Sequence, residues 1–368
     1  MKKSNFKAFV PVVAMVAVLV SCDTNQEPAP QQDLLPERFW IDIPDAISQA
    51  APGNGRTQGD TLRGNDIYIN MATFIAVGDA SSKLVGDIIN GIRKYKIDRV
   101  LTMSFRSDDD NRTKNLDVKA NIEFESKTWQ YMLTITDADS EGSADGGKAI
   151  QVFWNHSTPI EGIAIIKPYN CDRTKNNGAP DALFRIDYEE QPSSGYDAQM
   201  EVRISGLPVG SPLFTPYSMS TLHMFARKKG DVVDVYGNSN HPNAVFFSGQ
   251  RGFNWAFVAS GNHTTNIGVA EVGLPPSTLN SSDRNTLLKE HSIKNVLTNE
   301  IHSAWPWLDP NAVALYLKNA VAPGYFDKNG FVAAGSSPGV GWDALTPRLE
   351  GLAPFNPNVT SEMVVVFK

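Results

Sequence analysis

The sequence predicts an α+β fold. A large curved antiparallel β-sheet, in half-barrel or sandwich form, follows one amphipathic helix and precedes two C-terminal helices. Three observations carry this. Strand-like alternation of apolar and polar residues recurs through the middle of the chain, as in Leu116, Val118, Ala120, Ile122 and Phe124 set between Asp117, Lys119, Asn121 and Glu123. A period of two with one wet face belongs to antiparallel sheet, because parallel strands are buried on both faces. Helical spacing stands only before and after this region, and such segregation separates α+β from α/β folds.

The chain opens with Lys2, Lys3 and Lys7, then an apolar run over 8–20. That run is too short to cross a bilayer core of about 30 Å as a helix, and a basic start followed by a short apolar stretch is a secretory pattern. Leu19-Val20-Ser21-Cys22 then resembles the lipobox of bacterial lipoproteins. The resemblance implies a signal peptide over 1–21, lipid on Cys22, and a cell-envelope location on the outer membrane. Residues 22–36 form the expected tether, with Pro28, Pro30 and Pro36 among polar residues. Such composition stays extended. Residues 37–368 form the expected folded domain.

Within it, Ile67, Met71, Phe74, Val85, Ile88, Ile92 and Tyr95 fall at helical spacing, and the small residues Gly78, Ser81 and Ser82 suggest a bend. The sheet is expected over 99–272. Phe184, Ile186 and Tyr188 alternate with Arg185, Asp187 and Glu189, and Ala198, Met200, Val202 and Ile204 alternate with Gln199, Glu201 and Arg203. Further strands are expected at 99–106, 128–136, 149–155, 160–167, 219–227, 231–236, 244–248, 253–259 and 265–272. Turn-rich segments lie between them, including Asp108 to Asn111, Gly142 to Gly147, Ser193 to Gly195 and Gly237 to Asn240. A helical and loop-rich part is expected over 280–368. One helix starts at Ser282 or Asp283 and runs past Ile301, a second follows Pro310, a long loop fills 323–357, and a last strand ends near Phe367. The order of elements resembles the half-barrel of periplasmic lipoprotein carriers, a likeness of architecture that says little about function.

Composition narrows the chemistry. The formal charge is −7 and becomes −10 once the three leader lysines are gone. No basic stripe points to nucleic acid, and an acidic surface leaves the lipid as the membrane contact. With Cys22 modified, Cys171 has no intrachain partner, and its acidic loop does not favour a thiolate.

Chemical motifs are incomplete. Gly335-Ser336-Ser337-Pro338-Gly339 matches G-x-S-x-G without the preceding strand or the later histidine a hydrolase needs. His291 and His302 share a face only if one helix runs through both. Asp137, Asp139, Glu141 and Gly142 resemble half of a calcium loop, but Lys148 stands where a bidentate Glu is required. The sequence therefore implies no cofactor, no metal and no catalytic residue. The candidate ligand-binding residues are the tail aromatics Trp305, Trp307, Tyr325, Phe326, Phe331 and Trp342, since aromatic platforms take sugar rings or acyl chains. The leading expectation is a non-enzymatic lipoprotein enclosing an apolar ligand such as lipid. The alternatives are a surface glycan-binding protein and a structural component of a surface or outer-membrane complex.

Overall fold

The computed structural model describes residues 40–48, 64–94, 100–155, 159–209, 218–246 and 248–368. The leader, Cys22 and the tether lie outside the described residues. So do Tyr95, His156 and the side chains of Ile67, Ile88 and Ile92.

Two helices come first, α1 (Asp45–Ser48) and α2 (Gly64–Lys94). Five strands follow: β1 (Leu101–Arg106), β2 (Thr113–Phe124), β3 (Lys127–Asp137), β4 (Lys148–Asn155) and β5 (Glu161–Ile166). After the helical turn α3 (Pro168–Cys171) come β6 (Leu183–Glu190), β7 (Ala198–Ser205), β8 (Thr221–Lys229), β9 (Val232–Val245), β10 (Arg251–Asn262) and β11 (Ile267–Gly273). The C-terminal part holds α4 (Ile293–Ala304), α5 (Pro310–Tyr316), β12 (Gly324–Asp327), β13 (Gly330–Ala334), α6 (Val340–Leu345) and α7 (Pro357–Ser361). Among the described residues thirteen strands pair in sequence order, each antiparallel to the next, in one open curved sheet. Short turns at most steps leave each strand beside its predecessor, whereas the β5–β6, β7–β8 and β11–β12 connections are longer, the last holding α4 and α5.

One face of this sheet, here the inner face, packs on the helices. Tyr68, Met71, Phe74, Ile75 and Val85 of α2 join Val118, Trp154, Ile186, Met200, Met224, Trp255 and Phe257 in a continuous core, closed at one end by Ile293, Leu297 and Val313 of α4 and α5. The small residues of α2 set its distance from its neighbours. A Cβ on Gly78 would stand 2.4 Å from Met224 Cε, and one on Gly86 would stand 2.3 Å from the Trp40 ring. The helix is unbroken from Gly64 to Lys94, so Gly78, Ser81 and Ser82 mark close packing rather than an interruption. The hydroxyls of Ser81 and Ser82 donate to Val77 O and Asp79 O within the helix itself.

The outer face is covered by the C-terminal part in two places. Ala256, Val258 and Val269 lie under Leu287, Leu345, Leu349 and Leu352. Trp129, Met132, Phe153, Ile163 and Ile165 lie under Val365.

Several expected boundaries move. Gly237 to Asn240 is not a turn: β9 runs straight through it and pairs with β8 and β10 along its length. Gly237 is there because the strands approach closely, and a Cβ would lie 2.4 Å from the carbonyl oxygen of His223. Pro242 fits in the same strand because it lies past the end of β8, where the register with β10 also shifts. The helix expected through Ile301 breaks at His291 and Ser292; Thr286–Glu290 is a separate wide helical turn, and the Ser292 hydroxyl accepts from Asn295 N to start α4. The long loop contains β12 and β13, which extend the sheet beyond β11. Residues 363–367 form no strand; they lie extended on the outer face with Val365 buried and Val364 and Val366 exposed.

Candidate functional site

The wet faces of β6, β7 and β8 meet on the outer surface and set the site. Register places Arg185 opposite Arg203 and Asp187 opposite Glu201 between β6 and β7, with His223 of β8 opposite Arg203. Like charges facing one another across strands oppose pairing. The side chains resolve this by pairing along each strand and diagonally between strands. Arg185 reaches Asp187 at 2.7 Å, Arg203 reaches Glu201 at 2.7 Å and Asp187 at 3.5 Å, and His223 Nε2 lies 2.5 Å from Glu201 Oε1. Gln199 Nε2 donates to Glu189 at 2.6 Å in the same row.

Glu125 completes the lattice from the β2–β3 turn. Its carboxylate takes two hydrogen bonds from the Arg185 guanidinium, at 2.5 and 2.7 Å. Glu125 and Ser126 both adopt positive φ, 50° and 63°, in a tight hairpin where glycine or asparagine is the usual occupant. Strained backbone of this kind gathers at functional surfaces.

Glu125, Arg185, Asp187, Glu189, Gln199 and Glu201 line an open groove of about 240 Å³. Its lining includes five carboxylates (Glu125, Glu161, Asp187, Glu189 and Glu201) and two cations, Lys127 and Arg185. Lys127 pairs with Glu161 and stands 4.7 Å from the Trp129 ring centroid. Aromatic rings flank the charges. On one side Phe124 stacks on Phe153, with centroids 4.3 Å apart and planes 6° from parallel. On the other, Phe225 stacks on Tyr236, and Phe355 stacks on His223 with centroids 3.5 Å apart.

The Arg185 guanidinium holds the Glu125 carboxyl below the usual carboxylate range. Burial works against ionisation of Glu201, but the His223 contact and the Arg203 charge outweigh it and lower its pKa. Burial likewise opposes the charge on Arg185, and Glu125 and Asp187 more than restore it. Both shifted carboxylates are held as anions at neutral pH, whereas a general acid needs a raised pKa.

The predicted tail aromatics do not come together. Tyr325 and Phe326 are buried in β12. Phe331 lies against Tyr68, and Trp342 donates its indole N–H to Phe326 O over the cluster on the outer face. Phe326 and Phe331 join the inner core and Tyr325 and Trp342 the outer cluster, the first three because β12 and β13 are strands and not a loop. Only Trp305 and Trp307 stand at the surface, 39% and 76% exposed.

The remaining motifs resolve plainly. Ser337 lies in an exposed turn and accepts from Gly339 N; β13 ends just before Gly335 and α6 starts just after Gly339, so the preceding strand that the sequence did not signal is present, and what the G-x-S-x-G match lacks is a later histidine. Asp137 is buried and bound by Arg112, Lys114 and Arg173, so the calcium-like stretch is occupied by the chain's own cations. His291 precedes α4 and bonds the Thr286 carbonyl, so it shares no continuous helix with His302. Burial pushes the Cys171 thiol up to about 12, which removes thiolate reactivity. Among the described residues no group of His, Cys, Asp and Glu is arranged to hold a metal ion, and no helix is long and apolar enough to cross a membrane.

Sequence reasoning placed Arg185, Asp187, Gln199, Glu201 and Arg203 on wet strand faces but did not single them out. Their density of charge was visible; their convergence depended on the register of three strands and a hairpin. Comparison of the chain with protein-family models, with curated proteins and with solved structures found no match.

Proposed function

We propose that this is a lipid-anchored cell-envelope lipoprotein, non-enzymatic, whose outer-face groove binds a glycan. The observation that carries the reading is the groove's lining: donors and acceptors fixed in a lattice, with aromatic rings on both sides. Sugar hydroxyls need both kinds of partner at once, and Arg185, Lys127 and Gln199 supply donors beside the acceptors of Asp187, Glu189 and Glu161. Phe124 and Phe225 offer apolar faces for the ring C–H groups. An excess of carboxylates disfavours an anionic headgroup. The volume is below the ~300–1,000 Å³ of pockets that enclose a whole small molecule, which suits one ring or the end of a longer chain.

An apolar ligand such as lipid is the competing reading, and it needs room between α2 and the sheet. Tyr68, Met71 and Ile75 of α2 and Met200 and Met224 of the sheet are fully buried there, and Phe74 lies 5.0 Å from Trp255. A filled inner face favours the outer groove. A structural role in a surface or outer-membrane complex is the third reading, and stoichiometric partners recovered from membranes would favour it.

The test is a glycan array probed with the full-length protein, its Asp187→Asn variant and its Phe225→Ala variant. Loss of a hydrogen bond to a charged group costs about 1.5–3 kcal/mol, so Asp187→Asn is expected to bind roughly tenfold or more weakly. Phe225→Ala removes an apolar ring face and is expected to weaken binding in the same direction, with both variants assayed below their own melting temperatures. An array without binding, or binding equal in all three proteins, would overturn the groove as a glycan site.

A further inference from the structure

Five of the fourteen exposed large apolar side chains among the described residues fall within twelve positions: Trp305, Trp307, Leu308, Leu315 and Tyr316. They belong to the α4–α5 hairpin. Val313 and Leu317 turn inward to the core, while Leu315 is 68% and Trp307 76% exposed. Scattered apolar residues on a surface need no explanation, but a local concentration marks an interaction site.

The charge pattern narrows the occupant. Residues 303–320 contain one acidic residue, Asp309, and one basic residue, Lys318, in a chain of formal charge −7. Asp309 caps α5 by accepting from Asn311 N. This stretch is electrically neutral on an acidic molecule, so an anionic surface does not repel it. Tryptophan, tyrosine and leucine with a flanking lysine are the side chains that settle at the boundary between headgroups and acyl chains.

We propose that the α4–α5 hairpin rests on the lipid bilayer, with Trp307, Leu308 and Leu315 entering its interface. The proposal rests on the reading of Cys22 as the lipidated residue. Trp40 and α1 sit near the β10–β11 turn, where His263 Nε2 lies 2.7 Å from Asp42 O and Ala46 N donates to Asn266. α4 starts beside the middle of β10, where Gly273, opposite Ala256, bridges to Ser292, and it reaches the other end of β10, where Ser248 N donates to Glu300. At about 3.3 Å per residue, β10 separates the two ends by roughly 40 Å. The eighteen residues from Cys22 to Trp40 reach roughly 55 Å when extended at ~3.1 Å each. The tether is therefore long enough to run beside the domain and let the far end touch the membrane.

Sedimentation with phosphatidylethanolamine–phosphatidylglycerol vesicles tests this, using Cys22→Ser protein and the same protein with Trp307→Ser and Leu315→Ser added. Both proteins are produced as the mature chain from residue 22, so that the apolar leader does not itself bind the vesicles; the unlipidated protein is expected to bind weakly, with tryptophan fluorescence quenched by brominated lipid. The added substitutions are expected to lower the partition coefficient on the order of tenfold or more, since both remove apolar surface that the interface would bury. Both positions are exposed, so melting is expected to stay unchanged. Absence of vesicle binding, or equal binding by both proteins, overturns the proposal. The mass of the N-terminal fragment from membranes tests the anchor separately. An unmodified Cys22 with patch-dependent vesicle binding would reject the anchor and keep the membrane-facing hairpin.

Discussion

Asp137, Asp145 and Glu201 are carboxylates that the fold keeps ionised. Burial raises the cost of charge on each, and the cations and donors around them reverse it: Arg112 and Lys114 at Asp137, Lys167 and the Gly147 N–H at Asp145, His223 and Arg203 at Glu201. All three therefore have folded pKa values below the ordinary range, that of Asp145 well below. A depressed pKa contributes stability that is complete above the unfolded value, near 4, and disappears as pH falls through the folded one. Asp79 acts in the opposite direction, because burial raises its pKa and protonation relieves it. The lowered group is the larger, so the urea midpoint is expected to be level between pH 7 and pH 5 and to fall by pH 3. A midpoint unchanged at pH 3 would show that these pairs do not govern acid stability.

Elements are placed by the smallest residues as much as by the largest. Gly237 lets β8 and β9 come together, and a methyl group there meets backbone, which cannot rotate away. Gly237→Ala is expected to destabilise by about 1–3 kcal/mol, the usual cost of overpacking. Gly142→Ala is the comparison, since nothing lies within 4 Å of the added carbon, and a surface change of this kind stays within about 0.5 kcal/mol. Denaturant melts of the two variants check both values. The same strand shows what periodicity missed. Gly237, Asn238 and Asn240 have turn chemistry, yet Asn240 bonds Ser277 and Ser220 across the outer surface, and that surface exists only once the C-terminal part has folded over it.

The whole molecule depends on the C-terminal part covering apolar stretches of the outer face that would otherwise meet water, while α1 and α2 cover the inner face. Val365 is 3% exposed against Trp129, Phe153 and Ile163, whereas its neighbour Val364 is 75% exposed. Val365→Asp is expected to lose the burial of one valine, about 1.5–3 kcal/mol, and to release the last residues. Acrylamide quenching of Trp129 should then rise, while Val364→Asp should leave it unaltered. Equal quenching in both variants would show that the segment is not held by this contact.

From the sequence alone came the α+β class, the antiparallel sheet and the helices flanking it, because one-sided burial imprints a period of two on strands and 3.6 on helices. The lipobox-type motif at Cys22 belongs to the same local grammar. The tertiary structure decided the rest. Trp342 and Phe326 share an apolar character with Trp307, and only packing separates a core ring from a surface ring. Arg185 and Asp187 differ little in sequence from any wet-face pair. They became a groove because register set β6 beside β7 and β8, and because the β2–β3 hairpin delivered Glu125 from sixty residues away. Convergence of that kind is a property of long-range contacts, which no local pattern encodes.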